Sequence, residues 1–135
     1  MPWRSETENC QMKKTQWRVR LLQGWAFLEP EEGRYNWSLL DTPAQRWIKQ
    51  GKQIALRFPC CEPFYEFATP KWVQEAGATL YRFETSQRTR KWIKESLGQD
   101  IPTHCWAPDY SDPVFLEKHG QFLAAAAGRY DGDPH

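Results

Sequence analysis

A strand, a helix and a second strand follow one another with short joints between residues 17 and 58. That order restricts the fold more than any other feature of the chain. Trp17, Val19 and Leu21 alternate with Arg18, Arg20 and Leu22 in "QWRVRLLQGWAFLEP", the period of a strand. The strand is expected to run as far as Pro30, which has no N–H for a ladder. "EPEEG" then reads as a turn, with Pro30 presetting φ and Gly33 supplying a left-handed position. After a short turn at "WSLLD", the spacing predicts a helix capped by Thr42, with Pro43 in its first position and Gly51 just past its end. Leu40, Ala44, Trp47 and Ile48 form its apolar face. "KQIALRF", residues 52–58, is nearly all apolar in its middle, as a buried parallel strand would be. Two strands joined through a helix in this way form a parallel βα unit.

The remainder is less regular. Residues 1–15 read as an irregular lead-in. From residue 59 to 111 runs a long connection, of the kind that usually carries function. A short helix is expected from Thr69-Pro70 with Trp72 and Val73 inward. A short strand is expected at "ATLYRF", and a helix at "SQRTRKWIKESLG" ending at Gly98. "PTHCWAPDY" reads as loop. Asp112 caps a last helix with Pro113 first, and Phe115, His119, Phe122, Leu123 and Ala126 share its inward face. Two convincing strands leave an open sheet with two bare edges, which is hard to stabilise alone. The expectation is therefore an α/β fragment of a larger repeating domain, occupying residues 16–135.

Several function classes lose support at this stage. The 18 Lys and Arg balance 17 Asp and Glu to a formal charge of +1, which gives no electrostatic case for nucleic acid or a membrane surface. No apolar run approaches the ~20 residues of a membrane span. Cys10, Cys60, Cys61 and Cys105 lack zinc-site spacing and read as free thiols, so neither metal nor cofactor is expected. No Gly-rich phosphate loop, H-E-x-x-H or nucleophile elbow occurs. What stands out is eight Trp in 135 residues. Such rings either pack a core or line a cleft for sugars, whose flat apolar faces and polar edges they match.

"WAFLEPEEGRYNWSLLD" followed by "WIKQGKQIALRF" resembles the β-galactosidase-like glycoside hydrolases and related uncharacterised barrel proteins. "TPKWVQEAG" and "DYSDPVFLEKHGQFLAAAAGRYDGDPH" resemble later segments of the same family, in the same order. The resemblance covers residues 17–135, with 78–103 poorly matched. It implies the N-terminal part of a (β/α)8 TIM barrel with parallel strands and flanking helices, acting on a carbohydrate substrate. Retaining enzymes of this kind use two glutamates whose carboxyl groups stand ~5 Å apart, at the C-terminal ends of barrel strands. The resemblance places both beyond His135, so no catalytic residue is expected here and the chain alone is expected to be inactive. It leaves Trp25, Glu29, Arg57, Trp72 and Trp106 as substrate-binding candidates. Against each stands a structural role: a turn carboxylate for Glu29, an ion pair for Arg57, core or loop packing for the tryptophans. The family often carries a sugar-binding Arg before the corresponding Pro-containing turn, where this chain has Thr103 and His104. The rival readings are a non-catalytic carbohydrate-binding module and a small protein-interaction domain.

Overall fold

The computed structural model describes residues 18–132; Trp17, Cys10 and the lead-in fall outside them. The protein is a mixed α/β structure. In chain order it comprises β1 (Arg18–Leu22), α1 (Trp25–Leu28), α2 (Ser38–Ile48), β2 (Gln53–Arg57), α3 (Lys71–Glu75), β3 (Leu80–Glu84), α4 (Gln87–Leu97), β4 (His104–Pro108) and α5 (Pro113–Tyr130). β1 lies parallel to β2, with Arg18 opposite Gln53 and Leu22 opposite Arg57. β3 and β4 form a separate antiparallel pair, Leu80 opposite Pro108 and Glu84 opposite His104.

The parallel unit is where the sequence placed it, with four differences. The first strand stops at Leu22. Trp25–Leu28 is a single helical turn, closed by Glu29 N–H on the Trp25 carbonyl at 2.9 Å. Thr42 does not cap α2: the helix begins at Ser38 and carries Pro43 inside it. A proline there deprives the Leu39 carbonyl of its intrahelical donor, and Leu39 lies on the exposed side, where water can serve that oxygen. β2 is only half-buried, and Ile54 and Leu56 border a hollow of about 140 Å³ that Asp41, Gln45 and Tyr130 also line.

The third region follows the predicted elements and adds one. α3, β3 and α4 fall at the expected places. Ser86 caps α4, its hydroxyl accepting from Thr89 N–H, and Gly98 ends it at φ 67°. β4 occupies the stretch read as loop. Its two prolines and mixed composition hide the alternation, and its partner β3 is distant in sequence, so no local period announces it.

The core forms where α5 meets α1. Phe115, His119 and Phe122 recur at helical spacing and surround Trp25, with ring centroids 6.1, 5.1 and 5.4 Å from it. Trp72 closes the fourth side at 5.9 Å, edge-on. Leu123, expected on that inward face, is exposed, since the face spanned by Phe115, Phe122 and Ala126 turns it outward. At the far end of α5, Tyr130 donates to Asp41 at 2.7 Å and Arg129 pairs with the same carboxylate. Asp41 thus ties α2 to α5 from within the helix, where the sequence had it closing a turn.

Candidate functional site

The C-terminal ends of β1 and β2 lead straight into the residues that the sequence singled out. Past β1 the chain makes the α1 turn. Past β2 it enters the connection 58–70, which is sewn to that turn twice: Trp25 N–H reaches the Pro59 carbonyl at 3.5 Å and Ala26 N–H the Ala68 carbonyl at 2.8 Å. Thr69 Oγ1 donates to the Cys60 carbonyl at 2.7 Å, closing the loop on itself. Further along, Trp106 N–H bonds the Glu66 carbonyl at 2.9 Å, so the loop extends the β3–β4 pair by one bridge at Phe67.

Trp25 and Glu29 form one buried unit. Trp25 is 0% and Glu29 2% exposed. The indole Nε1 donates to Glu29 Oε2 at 2.7 Å, and Gly33 N–H to Oε1 at 2.9 Å. Both carboxylate oxygens are therefore engaged, and the backbone carbonyl of Glu29 accepts Trp72 Nε1 at 2.9 Å. Gly33, at φ 76°, holds a conformation that residues with a Cβ avoid, and this lets its amide turn back to the carboxylate. Tyr35 feels the same group: burial and the Glu29 charge raise its phenol above the ordinary range. Held in this way, Glu29 is enclosed with both oxygens engaged, and Trp25 offers no open ring face.

Trp72 and Trp106 are half-buried. Phe67 stacks on Trp106 at 5.6 Å and 12°. With Trp72, Pro30, Glu31, Glu32 and Lys71 it also lines an open cleft of about 480 Å³. Phe67 was not singled out in the sequence. The signal available was an aromatic two residues before the Thr-Pro start of α3, which fixes it beside Trp72. Two of the carboxylates at the cleft are engaged by cations: Glu32 accepts Lys118 Nζ at 2.7 Å and Glu31 pairs with Arg34 at 3.2 Å, while Glu75 also lines it. Arg57 ends β2 with its side chain exposed and lines neither this cleft nor the one beside His104.

A thiol and an imidazole lie just below. Cys60 Sγ is 3.4 Å from His119 Nε2. Burial pushes the thiol up to about 11 and pushes His119 below its ordinary value. Both shifts favour the neutral forms, so the pair is not an activated thiolate and imidazolium. Cys60, Cys61 and Cys105 are free. Among the described residues no three His, Cys, Asp or Glu side chains converge as metal ligands, and no helix is long and apolar enough to cross a membrane.

The arrangement offers aromatic faces and polar edges. A family model described as beta-galactosidase matches residues 2–135, nearly the whole chain. The chain belongs to the beta-galactosidase family. Among curated relatives, a beta-galactosidase of Thermus thermophilus is 27% identical over 108 residues, covering 80% of this chain. Beta-galactosidase BgaA of a Thermus species is 26% identical over the same share. Beta-galactosidase Pbg of Clostridium perfringens is 26% identical over 82% of the chain. The matched region spans 14% of the length of each of these relatives. No solved structure gives a significant match. Membership in the beta-galactosidase family makes the chain part of a glycoside hydrolase family.

Proposed function

We propose that these residues form the opening segment of a (β/α)8 barrel that hydrolyses β-galactosides with retention. In this reading β1 and β2 are its first two strands, and the excursion from residue 58 to 112 lies over its active face. The observation that carries the reading is the coincidence of the family match with a parallel strand pair whose C-terminal ends bear the aromatic cleft, the position where barrel enzymes place their sites. Trp72 and Trp106 then present ring faces to the sugar, and Arg57 orients a carboxylate by a charge-assisted pair. Trp25 and Glu29 act as positioning residues, holding α1 and the Trp72 indole in place. The two catalytic glutamates belong outside these 135 residues. Glu29 does not serve as one of them, since its oxygens are already held by Trp25 and Gly33.

The test is turnover of nitrophenyl β-galactoside by the 135-residue chain. The expected result is none above the uncatalysed rate. Turnover that disappears in Glu29→Gln would overturn the assignment of the catalytic groups. An interaction-domain reading draws on one observation, the exposure of Tyr81 and Trp92. A defined complex by light scattering would favour it over the sugar site.

A further inference from the structure

The connection that leaves β2 carries two thiols, Cys60 and Cys61, and β4 carries a third, Cys105. All three are free, and the carbohydrate reading uses none of them. We propose that Cys61 and Cys105 are the two halves of an oxidant-driven disulfide, which clasps the β3–β4 pair to that connection.

The seat of Cys105 carries the inference. Cys105 is buried, and its sulfur lies 3.4 Å from Thr85 Oγ1, 3.6 Å from the Glu62 carbonyl and 3.9 Å from the Pro63 carbonyl. Glu62 follows Cys61 directly, and consecutive Cα atoms are about 3.8 Å apart. The Cys105 sulfur therefore stands within one residue's reach of Cys61. Trp106 N–H, bonded to the Glu66 carbonyl at 2.9 Å, holds β4 beside the same connection. Cys61 feels its neighbours in turn: burial raises its thiol, and the Cys105 and Glu62 charges raise it further. Cys60 suits neither partner. Its sulfur is occupied by His119 Nε2 at 3.4 Å. Its Cα is also too near that of Cys61, since a disulfide needs Cα atoms roughly 4.4–6.8 Å apart.

The oxidant is a hydroperoxide, and exposure sets the order of events. Cys61 is half-buried and Cys105 fully so, so Cys61 reacts first. Its thiolate attacks a peroxide oxygen, the O–O bond breaks, and water leaves behind a sulfenic acid. The Cys105 sulfur then attacks the Cys61 sulfur. The S–O bond breaks, the hydroxyl departs as water with the Cys105 proton, and the S–S bond closes. Two thiols give up two electrons and two protons, and hydrogen peroxide is reduced to two waters. The raised Cys61 thiol is little ionised at neutral pH, so the first step is slow there. Once closed, the bond fastens the strand that carries Trp106 to the connection that carries Phe67. It encloses a loop of roughly 45 residues, which restricts the unfolded chain.

The experiment treats the 135-residue chain with hydrogen peroxide at mildly alkaline pH, then denatures it, alkylates the remaining thiols and maps the peptides by mass. The expected result is one linked peptide pair, Cys61 to Cys105, with Cys60 alkylated. The thermal midpoint of the oxidised chain should rise by about 5 °C or more and return when a thiol reductant is added. Cys61→Ser should abolish both the link and the rise. Cys61 is only half-buried, so this variant keeps the fold, and an unchanged midpoint of its reduced form checks that. Three results overturn the inference: all thiols still alkylated, a link to Cys10 or Cys60 or between two chains in place of the expected one, or Cys61 carried to sulfinic acid with no link. A Cys61–Cys105 link that leaves the midpoint unmoved overturns the clasp. None of these results bears on the carbohydrate reading.

Discussion

The parallel half of the molecule and the β3–β4 excursion are built on opposite plans. Around α1, every side of Trp25 meets another ring, and its one polar atom meets Glu29. In β3 only Leu80 is buried, and the other four residues face solvent. The β3–β4 pair joins the rest through Leu80 in the same buried cluster as Trp25, the Phe67–Trp106 stack, Trp106 N–H on the Glu66 carbonyl, Cys105 against the Glu62 and Pro63 carbonyls, and Thr79 N–H on the Asp112 cap. A dense base thus contrasts with an arm that carries exposed polar and aromatic groups.

The sharpest way to break the comparison is to empty the base. Trp25→Ala should cost about 3–5 kcal/mol, the range for deleting a buried large aromatic, and lower the denaturation midpoint of the whole chain. Glu29→Ala strands a buried indole N–H and should cost about 1–3 kcal/mol, read in the same denaturant titration, with Glu29→Gln costing less because it keeps an acceptor. On the arm, Tyr81→Ser and Trp92→Ser should change stability by no more than about 0.5 kcal/mol, since both rings are exposed.

Alkaline pH probes the base without mutation. The Cys60 thiol ionises near 9.0 when free of the fold and near about 11 within it. Between those values the unfolded chain loses the proton and the folded chain keeps it, so stability falls as pH rises through the window. Tyr130, raised to about 12 by burial and then by its bond to Asp41, extends the decline. Thermal midpoints measured from pH 8 to 11 should fall, and Cys60→Ala should flatten the lower part of that fall. His119 acts in the opposite direction. Its value is lowered by burial, so the stability it contributes is present above 6.5 and is lost as pH falls.

The base was largely legible in the sequence and the arm was not, for the same physical reason. Strand, helix and strand in β1, α2 and β2 are local, and their periods survive in the residues. So does the face of α5, apart from Leu123. The α1 turn escaped because "WAFL" suits a strand as well as a helix. What decides it is a side chain four residues on, Glu29, reaching back to Trp25. Pro43 misplaced the start of α2 because proline is at home in a first turn, and only exposure of Leu39 permits it deeper. β4 is defined by pairing with residues 20 to 28 positions away, which no short window contains. Of the candidate site, Trp72 and Trp106 are found half-buried beside Phe67. Trp25 and Glu29 are found enclosed, because burial depends on α5, nearly ninety residues on.

Native-state hydrogen exchange tests the division into base and arm most directly. Amides of β1, β2 and α5 should exchange only through global unfolding, and those of β3, β4 and α4 through a separate opening of lower free energy. A single opening free energy shared by both halves, moved equally by Trp25→Ala and by loss of the Phe67–Trp106 stack in Phe67→Ala, would contradict it.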